Sequence, residues 1–355
     1  MLSRSRTALV GVSFTAVATL LAGCGSSDGT GSDGGPEKLT YVAYGGSGQE
    51  AMIKAHQKPF TAANPDVTFI NSSPADVAQV KAQVLGGAVK WDVVSVAPAA
   101  AEQHCGKLFE KLSVPKLDPK DLVADGVGEC YVGNFTNANI FGYNADAYSD
   151  AAKAPRTLKD FFDTEKFPGK RGVLSNPQNG LLEFALLADG VAPDKLYPLD
   201  IDRALKKWST IRKDTYFAPN VGAIQQAAAS GQVDLFLAPD SRMIALLDEK
   251  KNVKMVWDMS VASVNGLAVP RGSKHKATAE KFLESVAQPA ASAKISELLG
   301  TVPVNRKAKP QLSANAKLVE AGGPVNTGEV VYQDVQWYAK NWDTVTTKVT
   351  NWLVG

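Results

Sequence analysis

The 355 residues carry 38 lysines and arginines against 36 aspartates and glutamates, with three histidines and three cysteines. So even a balance, with no basic cluster, leaves no electrostatic footprint for nucleic acid or an anionic membrane surface. His56, His104 and His275 stand too far apart to form a metal-ligand pattern. A single core seldom grows beyond about 250–300 residues, so two lobes are expected.

In chain order, Arg4 and Arg6 precede an uncharged apolar run at 8–21. This reads as the charged and apolar regions of a secretory signal, too short to span a bilayer core of about 30 Å. Leu21-Ala22-Gly23-Cys24 follows and resembles a bacterial lipobox, in which signal 1–23 is removed and Cys24 becomes a lipid-modified N-terminus. The competing reading is an ordinary signal peptide with a chance cysteine. Residues 24–36, rich in Gly, Ser and Asp, have the composition of a solvated tether. Cleavage would leave 332 residues with 36 basic and 36 acidic groups. No later apolar run approaches membrane-spanning length, so the lipid on Cys24, a diacylglyceryl group, would be the sole attachment. The expected location is the periplasm or the outer face of a bacterial cell membrane.

Residues 39–44 form a nearly continuous apolar run, broken by Gly45-Gly46-Ser47-Gly48, and a helical pattern covers 49–62. A strand at 67–70, a helix carrying Val77, Val80, Val84 and Leu85, and a strand at 92–96 complete a βαβαβ unit and imply a parallel sheet. Cys105 and Cys130 form an even pair in an exported chain, and a disulfide between them would be worth about 3–4 kcal/mol. The alternative, a His104-Cys105 nucleophilic pair, requires a geometry that adjacent residues seldom adopt.

A second α/β series begins near 139–143. Thr157 opens a short helix with Leu158, Phe161 and Phe162, and 172–174 reads as a strand. A polar loop at 175–180 leads into a helix at 181–187, Asp202 is placed as a cap, and 233–237 and 254–257 read as strands. A strand at 266–270 and helices at 277–286 and 290–299 suggest a return to the first lobe. Val331, Val335, Tyr338, Trp342, Val345, Val349 and Trp352 step by four and three along a C-terminal helix. Such a stripe suits a coiled-coil seam or self-packing, and the aromatics favour self-packing.

Several motifs now stand in a recognisable order: Tyr44-Gly45-Gly46-Ser47-Gly48-Gln49-Glu50-Ala51, Trp91-Asp92-Val93-Val94 and Gly142-Tyr143-Asn144 come first. Phe161-Phe162-Asp163, Lys166-Phe167-Pro168-Gly169-Lys170-Arg171 and Ser230-Gly231-Gln232-Val233-Asp234 follow, then Gly300-Thr301-Val302-Pro303-Val304-Asn305 and the tail 337–353. Together they resemble the solute-binding proteins of ATP-binding-cassette (ABC) importers, in the branch that includes spermidine- and putrescine-binding proteins. The resemblance implies the type II periplasmic-binding-protein fold, α/β with two lobes, each a mainly parallel sheet flanked by helices, and a ligand cleft between them. It places lobe one at 37–140 and 266–325, lobe two at 141–265, and a C-terminal helical segment at 326–355 packing on a lobe. It implies cleft closure over a small-molecule solute and delivery to a permease and ATPase complex, by a monomer with no cofactor, no metal and no catalysis.

Polyamine binders hold a dication with carboxylates and aromatic rings. Here Ala97-Pro98-Ala99, the loop Asn176, Pro177, Asn179 and Gly180, then Pro239, and Ser263 with Asn265 occupy the matching places. What replaces acids and rings suits a carboxylate or zwitterion of the amino-acid-derivative class. Glycine-rich loops at Gly46-Ser47-Gly48 and Gln178-Asn179-Gly180 join strand ends to helix starts, where free N–H groups favour anions. Arg242 offers a bidentate carboxylate clamp and Asp240 an acceptor for an amine. The bland alternatives are turn geometry for the loops and a surface ion pair for Arg242. The proposed ligand set is Tyr44, Gly46, Ser47, Ala97, Asn176, Asn179, Asp240, Arg242 and Asn265. The rival functions are a surface lipoprotein acting as sensor or adhesin, and an exported hydrolase. No Tyr-Tyr pair marks a ferric-ion site.

Overall fold

The computed structural model describes residues 35–355. The predicted signal 1–23, Cys24 and the tether through residue 34 lie outside the described residues.

The first apolar segments become β1 (Glu37–Val42), β2 (Val67–Ser72) and β3 (Val93–Val96), side by side in the order β2-β1-β3. Both pairings are parallel, as strands joined by helical crossovers must be. The first crossover is an unbroken helical stretch: α1 (Gly46–Met52), a single π-helical turn (Ile53–Gln57) and α2 (Lys58–Ala63). The second contains α3 (Val77–Leu85), capped by Asp76, whose carboxylate accepts the Ala78 N–H at 2.9 Å. α4 (Pro98–Gln103) leaves the end of β3.

β4 (Val132–Asn144) leads into α5 (Leu158–Phe162), which opens on a reciprocal Thr157/Asp160 capping box. β5 (Arg171–Leu174), α6 (Leu181–Ala188), α7 (Ile201–Ser209) and β6 (Thr215–Ala218) follow, then α8 (Val221–Ser230), β7 (Leu235–Pro239) and α9 (Asp240–Asp248). β7-β5-β6 is a second parallel set. The cap of α7 is Asp200, not the predicted Asp202. The Asp200 carboxylate accepts the Arg203 N–H at 3.0 Å, while Asp202 already lies within the first turn.

The predicted strands 254–257 and 266–270 are one structure: β8 (Val253–Ala268) runs unbroken for 16 residues. Asp258, Ser260, Ser263 and Asn265 interrupt its apolar pattern, but the ladder to β4 satisfies the backbone all the same. β4 and β8 pair antiparallel and join the two parallel sets into the order β2-β1-β3-β8-β4-β7-β5-β6. Two register shifts interrupt their ladder, between Gly133 and Phe135 and between Asn139 and Phe141.

After β8 come α10 (Lys276–Val286), α11 (Pro289–Leu299), β9 (Val302–Pro303), α12 (Ala314–Val319), β10 (Glu329–Tyr332) and α13 (Val335–Val354). The C-terminal stripe therefore starts one element earlier than its helix: Val331 is on β10, and Asp334 caps α13 by accepting the Trp337 N–H. Val335, Tyr338, Val345 and Val349 are buried within this chain, and α13 lies against α4 and α7. Cys105 and Cys130 form a disulfide with Cα atoms 5.5 Å apart, so the sulfur of the His104-Cys105 pair is already committed.

Candidate functional site, a cavity at the strand ends

The residues that follow the C-terminal ends of the parallel strands converge on one cavity of about 990 Å³. Tyr44 and Gly45 come from the loop after β1, Ala97 from the end of β3, Asn176 from the loop after β5, Pro219 and Asn220 from the end of β6. Pro239 ends β7, and Ser241 and Arg242 stand in the first turn of α9. This is where open α/β sheets place ligands, because their loops and helix starts gather at that edge. β4 and β8 cross the middle and contribute Phe135, Asn137, Ser263 and Asn265.

Of the predicted set, Tyr44, Ala97, Asn176, Asn179, Arg242 and Asn265 line the cavity. Tyr44 is 57% exposed. Gly46 is not on the wall, although its neighbours Gly45 and Gly48 are. Ser47 is the second residue of α1, and its side chain lies outside the described set. Asp240 is 1% exposed and absent from the wall. Its carboxylate accepts the N–H groups of Ala138 at 3.0 Å and Ser241 at 2.7 Å, tying α9 to β4. Burial pushes that carboxyl up to about 7, against the pull of those two N–H groups and of Arg242.

The loop after β5 also differs from expectation. The N–H groups of 178–180 are consumed internally: Gln178 donates to Asn176 Oδ1 at 3.0 Å, Asn179 to the Asn176 carbonyl and Gly180 to the Pro177 carbonyl, both at 3.1 Å. Side chains, not backbone amides, therefore face the cavity here. Gly180 is required, since its φ is +79° and a Cβ would stand 2.9 Å from both the Phe184 ring and Val261.

Arg242 is the cation of the cavity wall among the described residues. Nη1 donates to Gln225 Oε1 at 3.2 Å, while Nε is buried with no partner and no carboxylate stands within ion-pair distance among the described residues. A guanidinium has five N–H donors, so most of its capacity is open. Burial lowers its proton affinity and neighbouring Asp240 raises it again. Two acids reach the wall, and both are engaged. Asp248 accepts from Asn315 Nδ2 at 2.7 Å, and Glu297 accepts the Gln311 N–H and pairs with Lys294, each at 3.0 Å.

Behind the 175–180 loop lies a buried carboxyl. Glu183 Oε1 accepts from Tyr197 Oη at 2.7 Å, Tyr338 Oη at 2.8 Å and Gln333 Nε2 at 2.9 Å, and Gln333 Nε2 also reaches the Pro177 carbonyl at 2.9 Å. Glu183 Oε2 is buried without a partner among the described residues. Burial is the dominant influence and raises the carboxyl above its usual range. A raised carboxyl costs nothing below the unfolded value of about 4.3, costs progressively more as pH rises from there to the folded value, and costs a constant amount above it. The stability of Glu183→Gln relative to the native protein is therefore expected to increase as pH rises from about 4.3. Urea melts of both proteins across that range check this, and a difference independent of pH would refute it.

Ser263, aligned with a ligand position but left out of the proposed set, also lines the cavity, as do Asn137, Ser241 and Thr301, which were not anticipated. The polar residues Asn137 and Asn139, two apart in an otherwise largely apolar strand, were the available signal for Asn137.

Residues 55–321 match the family of bacterial extracellular solute-binding proteins. The chain belongs to that family. This solute-binding protein is 30% identical over 318 residues to the γ-aminobutyric acid-binding protein of Pseudomonas aeruginosa, covering 84% of this chain and 89% of the other. It superposes on the Atu4243–GABA receptor with a TM-score of 0.80 at 33% identity, covering 89% and 97% of the two chains. An ABC transporter substrate-binding protein from Bradyrhizobium japonicum superposes at 0.80 with 26% identity, covering 89% and 99%. The solute-binding protein thus has the type II periplasmic-binding-protein fold. Its family works outside the cytoplasm, delivering small solutes to a permease complex. No helix among the described residues is long and apolar enough to cross a membrane.

Proposed function

We propose that this protein captures a small carboxylate or zwitterion, of which γ-aminobutyrate is the first candidate, for an ABC permease and ATPase. The observation that carries the ligand class is Arg242, an under-bonded guanidinium on the cavity wall with no carboxylate within ion-pair distance among the described residues. A bare polyamine would bring two positive charges toward that cation, and of the two wall acids Glu297 is already paired with Lys294, leaving Asp248 with its single amide partner. A carboxylate instead supplies the acceptors the guanidinium lacks. The relatives whose names specify γ-aminobutyrate support the same class.

In this reading the two parallel sets act as lobes, 37–140 with 266–325 and 141–265. Both boundaries between them fall on the paired strands β4 and β8. Closure lets the solute meet polar groups of both lobes at once. That difference in affinity shifts the equilibrium to the closed form, with no covalent bond made or broken. The protein works as a monomer tethered through lipid on Cys24. Calorimetric titration is expected to show micromolar or tighter binding of γ-aminobutyrate and none of putrescine, with a smaller scattering radius in the bound state. Binding of putrescine with no binding of any organic acid would overturn the ligand class, and equal radii would overturn closure.

A further inference from the structure

Two buried side chains and a half-buried one link the helical crossover to the cavity. His56, 2% exposed, sits on the π-helical turn Ile53–Gln57. The extra residue in that turn lets three successive side chains, Ala55, His56 and Gln57, all face inward, more than the narrow buried stripe of an ordinary helix accommodates. His56 Nε2 is 2.8 Å from Asn134 Oδ1, and Asn134, fully buried on β4, places Nδ2 3.4 Å from Asn265 Oδ1. Asn265 lines the cavity, and its Nδ2 has no partner among the described residues.

The direction of this chain is set at its buried end. His56 Nδ1 is buried and unpartnered among the described residues. An orphaned N–H is costlier in a protein interior than an orphaned lone pair, which favours a bare Nδ1 with the proton on Nε2, against the opposing pull of the Ala55 backbone on the ring. Burial lowers the imidazole to about 4, so the ring is neutral at physiological pH. An Nε2–H requires an oxygen, which orients the Asn134 amide. The Asn134 NH2 then requires Asn265 Oδ1, which turns the Asn265 NH2 toward the cavity. Reversing either amide would set two donors or two acceptors against each other.

Resting on the carboxylate reading above, we propose that His56 is a positioning residue: acting through Asn134, it holds Asn265 as a hydrogen-bond donor to the solute. The wall then has a polarity. Arg242 and Asn265 offer donors to solute oxygens. Asn179 has spent Nδ2 on Asn139 Oδ1 at 3.3 Å and offers its own oxygen to a solute N–H.

The test combines two measurements. In wild-type protein labelled with 15N-histidine, His56 is expected to show the Nε2–H tautomer; an Nδ1–H tautomer would overturn the proposal without any ligand. In calorimetry with γ-aminobutyrate, His56→Leu is expected to weaken binding about 5–10-fold, the worth of one neutral hydrogen bond. His56→Gln, which keeps an amide N–H facing Asn134, should restore most of that loss. In an Asn265→Ala background, His56→Leu should add less than about 2-fold. Equal losses in both backgrounds, or no rescue by glutamine in a folded variant, would show that His56 is only structural. Failure of wild-type protein to bind γ-aminobutyrate would count against the ligand class, while the tautomer still decides the relay.

Discussion

Arg242→Met is expected to weaken γ-aminobutyrate binding about 30- to 150-fold while leaving the melting temperature close to that of the native protein. The reasoning starts from an imbalance in the unliganded site. A guanidinium half-removed from water makes one 3.2 Å bond to Gln225 and leaves Nε buried without a partner. Folding therefore carries an incompletely compensated charge there, which methionine, of similar length, removes at little cost. Binding depends on it much more, since removing one partner of a hydrogen-bonded ion pair costs roughly 2–3 kcal/mol at the lower end of the usual range, and 1.4 kcal/mol is tenfold. Arg242→Lys should fall between, keeping the charge but losing the two-pronged geometry. Titration calorimetry of the three proteins checks this, and an Arg242→Met protein that binds as well as wild type would remove the anion site from this wall.

Arg171→Leu is expected to act in the opposite way, costing about 3–5 kcal/mol of stability, the usual penalty for breaking a buried charged network. Arg171 is fully buried on β5 and no acid lies within ion-pair distance of it among the described residues. Four carbonyls hold it instead. Nε donates to Phe161 at 3.0 Å, Nη1 to Gly169 at 2.6 Å, and Nη2 to Asp163 at 3.0 Å and Phe167 at 2.6 Å. These bonds fix the turn between α5 and β5 and seat Phe161 edge-on to Phe141 and Trp208, with centroids 5.3 and 6.0 Å away. Leucine fills the space and leaves every one of those carbonyls without its guanidinium donor. Arg171→Lys, with a single ammonium, can answer only some of them. Urea unfolding followed by tryptophan fluorescence measures the loss, and an unchanged midpoint for Arg171→Leu would contradict this account.

The contrast between these two arginines illustrates what local sequence can and cannot convey. Both follow a strand or lie at its start, and both sit in motifs of proline and charge. Only the packing of α5 over β5 makes one a structural clamp, and only the convergence of strand ends makes the other a cavity wall. The same limit separates Asp240 from Arg242. Two residues apart on a helix is about 200° of rotation, so one faces β4 and the other the cavity. Which is which depends on where α9 docks.

Sequence alone determined the βαβ units, the disulfide pair and the strand-end location of the cavity, and it is the sole basis for the signal and lipobox reading. Each of these depends on local chemistry: an uncharged apolar run, near-continuous apolar strands broken by glycine, an even cysteine count. The tertiary structure decided what spans distance. It merged two predicted strands into β8, because pairing with β4 satisfies a backbone whose side chains are too polar to signal a strand. It withdrew the 178–180 amides from the cavity by bonding them within the loop. It also brought His56, Asn134 and Asn265 into line across residues 78 and 131 positions apart in the chain. The register shifts in β4 change which side chains face the cavity, and no alternation in sequence records a bulge that only strand pairing creates.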